Sequence, residues 1–138
     1  MKSAAYLTIF FGFLFAFSNC EKESGPSERF KLLTTPTWAS DSLLVDGVDA
    51  SGPGELLENF KGDAKFNADG TGYFGIYEGT WRFAMNETEL VIESQSLDFP
   101  LSTKITELSK TSLIITTSYP NITNPEEDIQ IRMTFIAK

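Results

Sequence analysis

Cys20 is the only thiol in the 138-residue chain, and no histidine accompanies it. A lone thiol cannot form an intramolecular disulfide. Without imidazole the usual nucleophile–base pairs are absent, and imidazole ligation of a metal is excluded. No Gly-x-Ser-x-Gly, Ser-x-x-Lys or phosphate-loop spacing occurs. What remains for chemistry is nineteen Asp and Glu residues. Two carboxylates hydrolyse a glycoside only when they face each other across a cleft, about 5–10 Å apart. Here most acids fall at turns or on the polar side of alternating segments, as Glu89 and Glu93 do. Asn67-x-Asp69-Gly70 invites comparison with a calcium loop. That register would put Lys65 at the first ligand position and Ile76 at the twelfth, and neither can coordinate. Asp46, Asp49 and Glu55 surround a Gly-rich loop but match no ligand template, so a solvated acidic loop is the reading. No catalytic residue, metal or cofactor is expected, and the protein is read as a non-enzyme.

The elements around Cys20 give it a different role. Lys2 precedes a run from Ala4 to Phe17 that carries no charge and five Phe residues, at 10, 11, 13, 15 and 17. A positive start, an apolar stretch of roughly 7–15 residues and a small-residue exit form a secretory signal. The run is shorter than the roughly 20 apolar residues that a membrane-spanning helix needs. Phe17-Ser18-Asn19-Cys20 resembles the lipobox of bacterial lipoproteins, with Asn19 and Phe17 standing where Gly or Ala and Leu are usual. The resemblance implies cleavage after residue 19 and acyl chains on Cys20 as the link to a membrane. An ordinary cleaved signal followed by a free thiol is the alternative. The two or three chains that the resemblance implies would hold stably, where a single chain binds only reversibly. Residues 20–29 contain Gly and Pro and no apolar side chain after Cys20, and are expected to form a flexible acidic tether. The implied address is the bacterial cell envelope, lipid-anchored at the outer membrane, with the face left open.

The formal charge is -8 and the pI is near 4.5. An acidic chain repels phosphate backbones, so nucleic acid is not an expected partner. The same sign argues against docking on anionic lipid through basic side chains.

Beyond residue 30 apolar residues alternate over short stretches, and turn residues punctuate them. Residues 38–45 end at Asp46-Gly47. Ala64, Phe66 and Ala68 alternate before Asp69-Gly70, and residues 71–77 follow with Phe74 and Ile76 on one face, which predicts a β-hairpin whose Gly70 takes positive φ. Trp81 and Phe83, Leu90 and Ile92, Leu101 and Ile105, Leu113 and Ile115, and Ile129 through Phe135 mark further strands. Residues 55–60 are the one helix candidate, with Leu56, Leu57 and Phe60 on one side of a turn. Asn86-Glu87-Thr88 and Asn121-Ile122-Thr123 fit the glycosylation sequon but read as turn residues. About eight strands at roughly 8–14-residue spacing predict an all-β fold, an antiparallel barrel or a sandwich.

Asn67-Ala68-Asp69-Gly70-Thr71-Gly72, then Gly79-Thr80-Trp81, then residues 105–113, with Trp38 following a bend, resemble the small lipocalin-like domains of bacterial surface lipoproteins. The resemblance spans residues 30–138 and implies an eight-stranded antiparallel meander barrel, with a β-sandwich as the alternative. The paired cysteines and longer chain of the large secreted lipocalins are missing, so a roomy cup is not implied. Trp38, Phe66, Phe74, Trp81, Phe83 and Phe135 are candidate ligand-pocket residues. Barrels of this size are either filled by side chains or hold one small ligand. Two functions stay open: binding of a small apolar or amphipathic ligand, or an accessory role in which the domain recruits a protein partner.

Overall fold

A computed structural model describes residues 25–138. The expected signal segment, Cys20 and the first part of the expected tether lie outside the described residues. The alternating stretches form strands β1 (Trp38–Val45), β2 (Val48–Asp49), β3 (Asp63–Phe66), β4 (Thr71–Phe74), β5 (Tyr77–Ala84), β6 (Glu89–Ser94), β7 (Leu101–Leu108), β8 (Ser112–Pro120) and β9 (Asp128–Ala137). From β3 to β9 each strand pairs antiparallel with the next, and β9 returns to β1, from Trp38↔Ala137 to Val45↔Ile131. The other edge of β1 is shared. Its first residues pair with β3, as in Trp38↔Ala64, and its last with β2, as in Val45↔Val48. The result is a closed eight-stranded meander barrel, with β2 as an added rung. Closure rules out the sandwich and removes the exposed edges that an open sheet would offer to other chains. Because alternate side chains face inward, Leu90 and Ile92, Leu113 and Ile115, and Ile131, Met133 and Phe135 all reach one core.

The direction of the strands sorts the connections to two ends. Segments 67–70, 85–88 and 109–111 lie at the end where β1 begins; 46–47, 75–76, 95–100 and 121–127 lie at the other, with the long loop 50–62. Helix α1 (Glu28–Thr34) closes the first end. Ser27 is its N-cap, its hydroxyl accepting from the Phe30 amide at 3.1 Å. Leu33 is 0% exposed, and Phe30 lies 5.6 Å from Trp81, ring centre to ring centre. At the far end of the helix, Lys65 Nζ donates to the carbonyls of Thr34, Thr35 and Pro36 at 2.8, 3.0 and 2.9 Å. A cation there completes carbonyls that the helix leaves unpaired. Seven residues are too few for a stable isolated helix, so packing holds it.

Two expectations are corrected by the structure. The tether was expected to stay flexible to Arg29, yet Ser27 donates to Glu87 Oε1 at 2.7 Å and Arg29 Nε to the Glu87 carbonyl at 2.9 Å. Those two bonds also hold a turn in which Met85, Asn86 and Glu87 all take positive φ, a conformation costly for residues with a Cβ. The helical turn expected at 55–60 is a single 3-10 turn, Glu58–Phe60. Residues three apart eclipse in such a turn, so Leu57 and Phe60 are buried together while Leu56 points out, 59% exposed.

The hairpin at Asp69-Gly70 is present, with Ala64↔Phe74 and Phe66↔Gly72 in register. Gly70 has φ +88°. Asp69 accepts from the Thr71 amide and hydroxyl at 3.0 and 2.6 Å, which holds its carboxyl below the usual range. A Cβ on Gly70 would meet only the Trp81 carbonyl, at 3.7 Å. The expected cost of Gly70→Val is therefore conformational, more than about 1 kcal/mol, read as a lower denaturation midpoint; an unchanged midpoint would contradict the turn. The stretch expected to run from 71 to 77 breaks after Phe74. Gly75 and Ile76 form a two-residue turn, which leaves Ile76 68% exposed instead of beside Phe74.

Candidate functional site

The six aromatics singled out in the sequence converge, but as packing. Phe66 lies 5.1 Å from Phe74 and 5.7 Å from Trp81, and Trp81 lies 5.5 Å from Phe83. The two Trp81 contacts are edge-to-face, the favoured geometry for aromatic pairs. Trp38 and Phe135 are buried in the same core. Both indoles are satisfied by backbone: Trp38 Nε1 donates to the Leu33 carbonyl at 3.0 Å and Trp81 Nε1 to that of Asn67 at 2.9 Å. Helix α1 caps this cluster, and none of the six lines the apolar cavity at the opposite end.

That cavity, of about 250 Å³, opens at the other end of the barrel. Its walls come from residues outside the six ligand-pocket candidates. Leu101, Ile131 and Met133 form inward-facing strand positions, and Leu57 and Phe60 descend from loop 50–62. Phe60 lies 4.9 Å from Tyr77, joining the loop to β5. Backbone bonds seat the loop: Leu57 N to the Ala50 carbonyl at 2.9 Å, Ala50 N to that of Leu43 at 2.9 Å and Ile76 N to that of Asn59 at 3.0 Å. Gly75, at φ +60°, passes so close that a Cβ would collide with the Asn59 carbonyl and the Phe60 backbone. At the rim Phe99 stacks on Tyr119 at 5.4 Å, and Leu56, Ser96 and Asp98 complete the opening. Burial, and next the Asp98 charge, push the Tyr119 hydroxyl up from its ordinary range, so it stays a neutral donor.

One signal in the sequence does mark this site. Tyr77 opens a strand, and Tyr119 ends one beside a polar loop, positions where an amphipathic ring can keep one side dry and the other wet. The loop acids do not gather as a cation site. Asp49 accepts from Ser51, Glu55 from the Gly52 amide and Asp46 from the Gln130 amide. No group of three or more ligating side chains is found among the described residues. No protein-family model matches the chain, and no curated protein matches it.

Proposed function

We propose that the protein is a lipid-anchored bacterial envelope lipoprotein whose lipocalin-like barrel binds a small apolar or amphipathic ligand. The carrying observation is the apolar cavity of about 250 Å³ in a barrel otherwise filled by side chains. A cavity of about 150 Å³ takes benzene, so a single aromatic ring or a short acyl chain is the right size. The groups around it suit binding: apolar walls, a stacked aromatic pair and a few polar atoms at the opening. A thermal-shift panel of such compounds tests the proposal. A ligand at a hundredfold excess over its dissociation constant should stabilise the fold by about 2.7 kcal/mol. Both tryptophans pack at the closed end, so their emission should change little on binding. If no compound in the panel shifts the melting transition, the ligand reading fails.

Anchoring through Cys20 belongs to the same proposal. Seven residues from Cys20 to Ser27 span at most about 25 Å. A lipid on Cys20 would therefore keep the helix-capped end near the membrane and turn the cavity away from it. The expected result for membrane-extracted protein is an intact mass lacking residues 1–19 and carrying acyl chains. Cys20→Ser should lose the acyl mass and leave the membrane fraction; a variant that stays fully membrane-bound after signal cleavage refutes the anchor.

The accessory reading also has an observation in its favour. Leu56, Ile76, Phe99 and Ile122, each exposed, sit on four connections at the open end, and Val48 is exposed on β2. Apolar side chains exposed at one end of the barrel would suit a protein partner where they join into a patch. A partner captured by the wild-type domain and lost on Phe99→Ser, with no small molecule shifting the melt, would favour that role.

A further inference from the structure

The charge around the cavity points to the head group of its ligand. Among the described residues that line it, Asp98 is the one charged side chain, and no Lys or Arg takes part. The connections at this end carry Asp46, Glu55, Glu58, Asp98, Glu126 and Glu127 against the single cation Lys61. The capped end is balanced: segments 25–37, 67–70, 85–88 and 109–111 set Glu28, Asp69 and Glu87 against Arg29, Lys31 and Lys110. At the open end Asp46, Glu55 and Glu58 accept only from neutral backbone amides. The one ion pair among the described residues, Lys138–Asp63, involves none of the six. The open end thus carries a net negative charge, and Asp98 brings part of it to the opening itself.

We propose that the cavity selects short amphiphiles with a cationic head, a primary or quaternary ammonium, and disfavours carboxylates such as fatty acids. This rests on the ligand-binding reading above. The tail would lie against Leu57, Phe60 and Met133 and exclude water from them. The head would meet the Asp98 carboxylate and the faces of Phe99 and Tyr119, whose ring quadrupoles attract cations. The Tyr119 hydroxyl, kept protonated by burial and by Asp98, adds no negative charge of its own but remains a polar neighbour for the head. A carboxylate head would face Asp98 with no cation in the lining to offset it.

Three probes of equal tail length separate head from tail: n-hexylammonium, 1-hexanol and hexanoate, titrated calorimetrically into the mature chain, residues 20–138, carrying Cys20→Ser, which leaves out both the apolar run Ala4–Phe17 and the acyl chains so that no detergent is needed. The ammonium should bind about tenfold tighter than the alcohol, the sum of an exposed ion pair and a cation–π contact. Hexanoate should bind at least about tenfold weaker than the alcohol. Added salt should narrow both gaps, and Asp98→Asn should bring the ammonium-to-alcohol ratio close to one. Equal binding of ammonium and alcohol, or hexanoate binding best, overturns the cationic selectivity while leaving the ligand site standing. A preference that survives Asp98→Asn overturns the assignment to Asp98. If none of the three binds, the cationic-amphiphile proposal falls, and the short-chain half of the ligand reading falls with it.

Discussion

Trp81→Ala is expected to cost about 3–5 kcal/mol, a large share of the 5–15 kcal/mol that holds a typical domain folded. The side chain is 6% exposed and is surrounded by Phe30, Phe66 and Phe83, each within 6 Å, ring centre to ring centre. Truncation would open a void beneath helix α1 that neighbouring rings cannot fill without leaving their rotamers. It would also strip the Asn67 carbonyl of its indole donor, at the turn that links β3 to β4. Trp81→Phe keeps most of the packing and loses that bond, so its cost should be clearly smaller. Denaturant titration measures both, and the midpoint should fall with the slope unchanged. A Trp81→Ala protein with the wild-type midpoint would place this ring outside the core. The variant also separates the two ends of the barrel. Where enough folded protein remains, ligand affinity at the open cavity should be kept, because Trp81 does not touch it.

Leu33→Ala is expected to cost about 2–5 kcal/mol, with a signature that distinguishes it from other core truncations. Leu33 is 0% exposed, is the one fully buried residue of helix α1, and its carbonyl accepts from Trp38 Nε1. Weakening the helix should expose Trp38, which sits under it, and Trp81, which packs against Phe30. A red shift of tryptophan emission should therefore accompany the loss of stability. Amides of residues 28–34 should exchange faster than those of the barrel strands, because the helix can open as a local unit. The turn at 85–88 should loosen with them, since Ser27 and Arg29 bond to Glu87. If the emission maximum stays fixed while the midpoint falls, the helix is not what keeps the indoles dry.

Much of the barrel was legible because its signals are local. Side chains alternate with a period of two along any strand, so the inward faces of β5, β6, β8 and β9 could be read from Trp81 and Phe83, Leu90 and Ile92, Leu113 and Ile115, and Met133 and Phe135. Asp46-Gly47 and Asp69-Gly70 marked turns because positive φ falls cheaply on Gly. Ile76 misled: its apolar character continued the alternation past Phe74, while Gly75, at φ +60°, turned the chain. Helix α1 escaped notice because Phe30 and Leu33 give a single i, i+3 repeat, too little periodicity beside the polar residues before them. Ser27 as an N-cap was the available clue.

The sequence alone determined the strand pattern, the all-β class, the absence of histidine chemistry and the acidic balance, since each is a property of neighbouring residues or of composition. Only the tertiary structure decided which aromatics fill the barrel and which surround a cavity. Trp38 and Phe135 face inward just as Met133 and Ile131 do, and beyond the placement of Tyr77 and Tyr119 little that is local tells a packed end from an open one. That difference is set by contacts distant in the chain: β9 pairing with β1, helix α1 seated over Trp81, and loop 50–62 bringing Phe60 to Tyr77 while leaving space beside Leu101 and Ile131. The side-chain period is fixed by backbone geometry, but filled volume depends on which distant residues arrive, and that is settled only when the barrel closes.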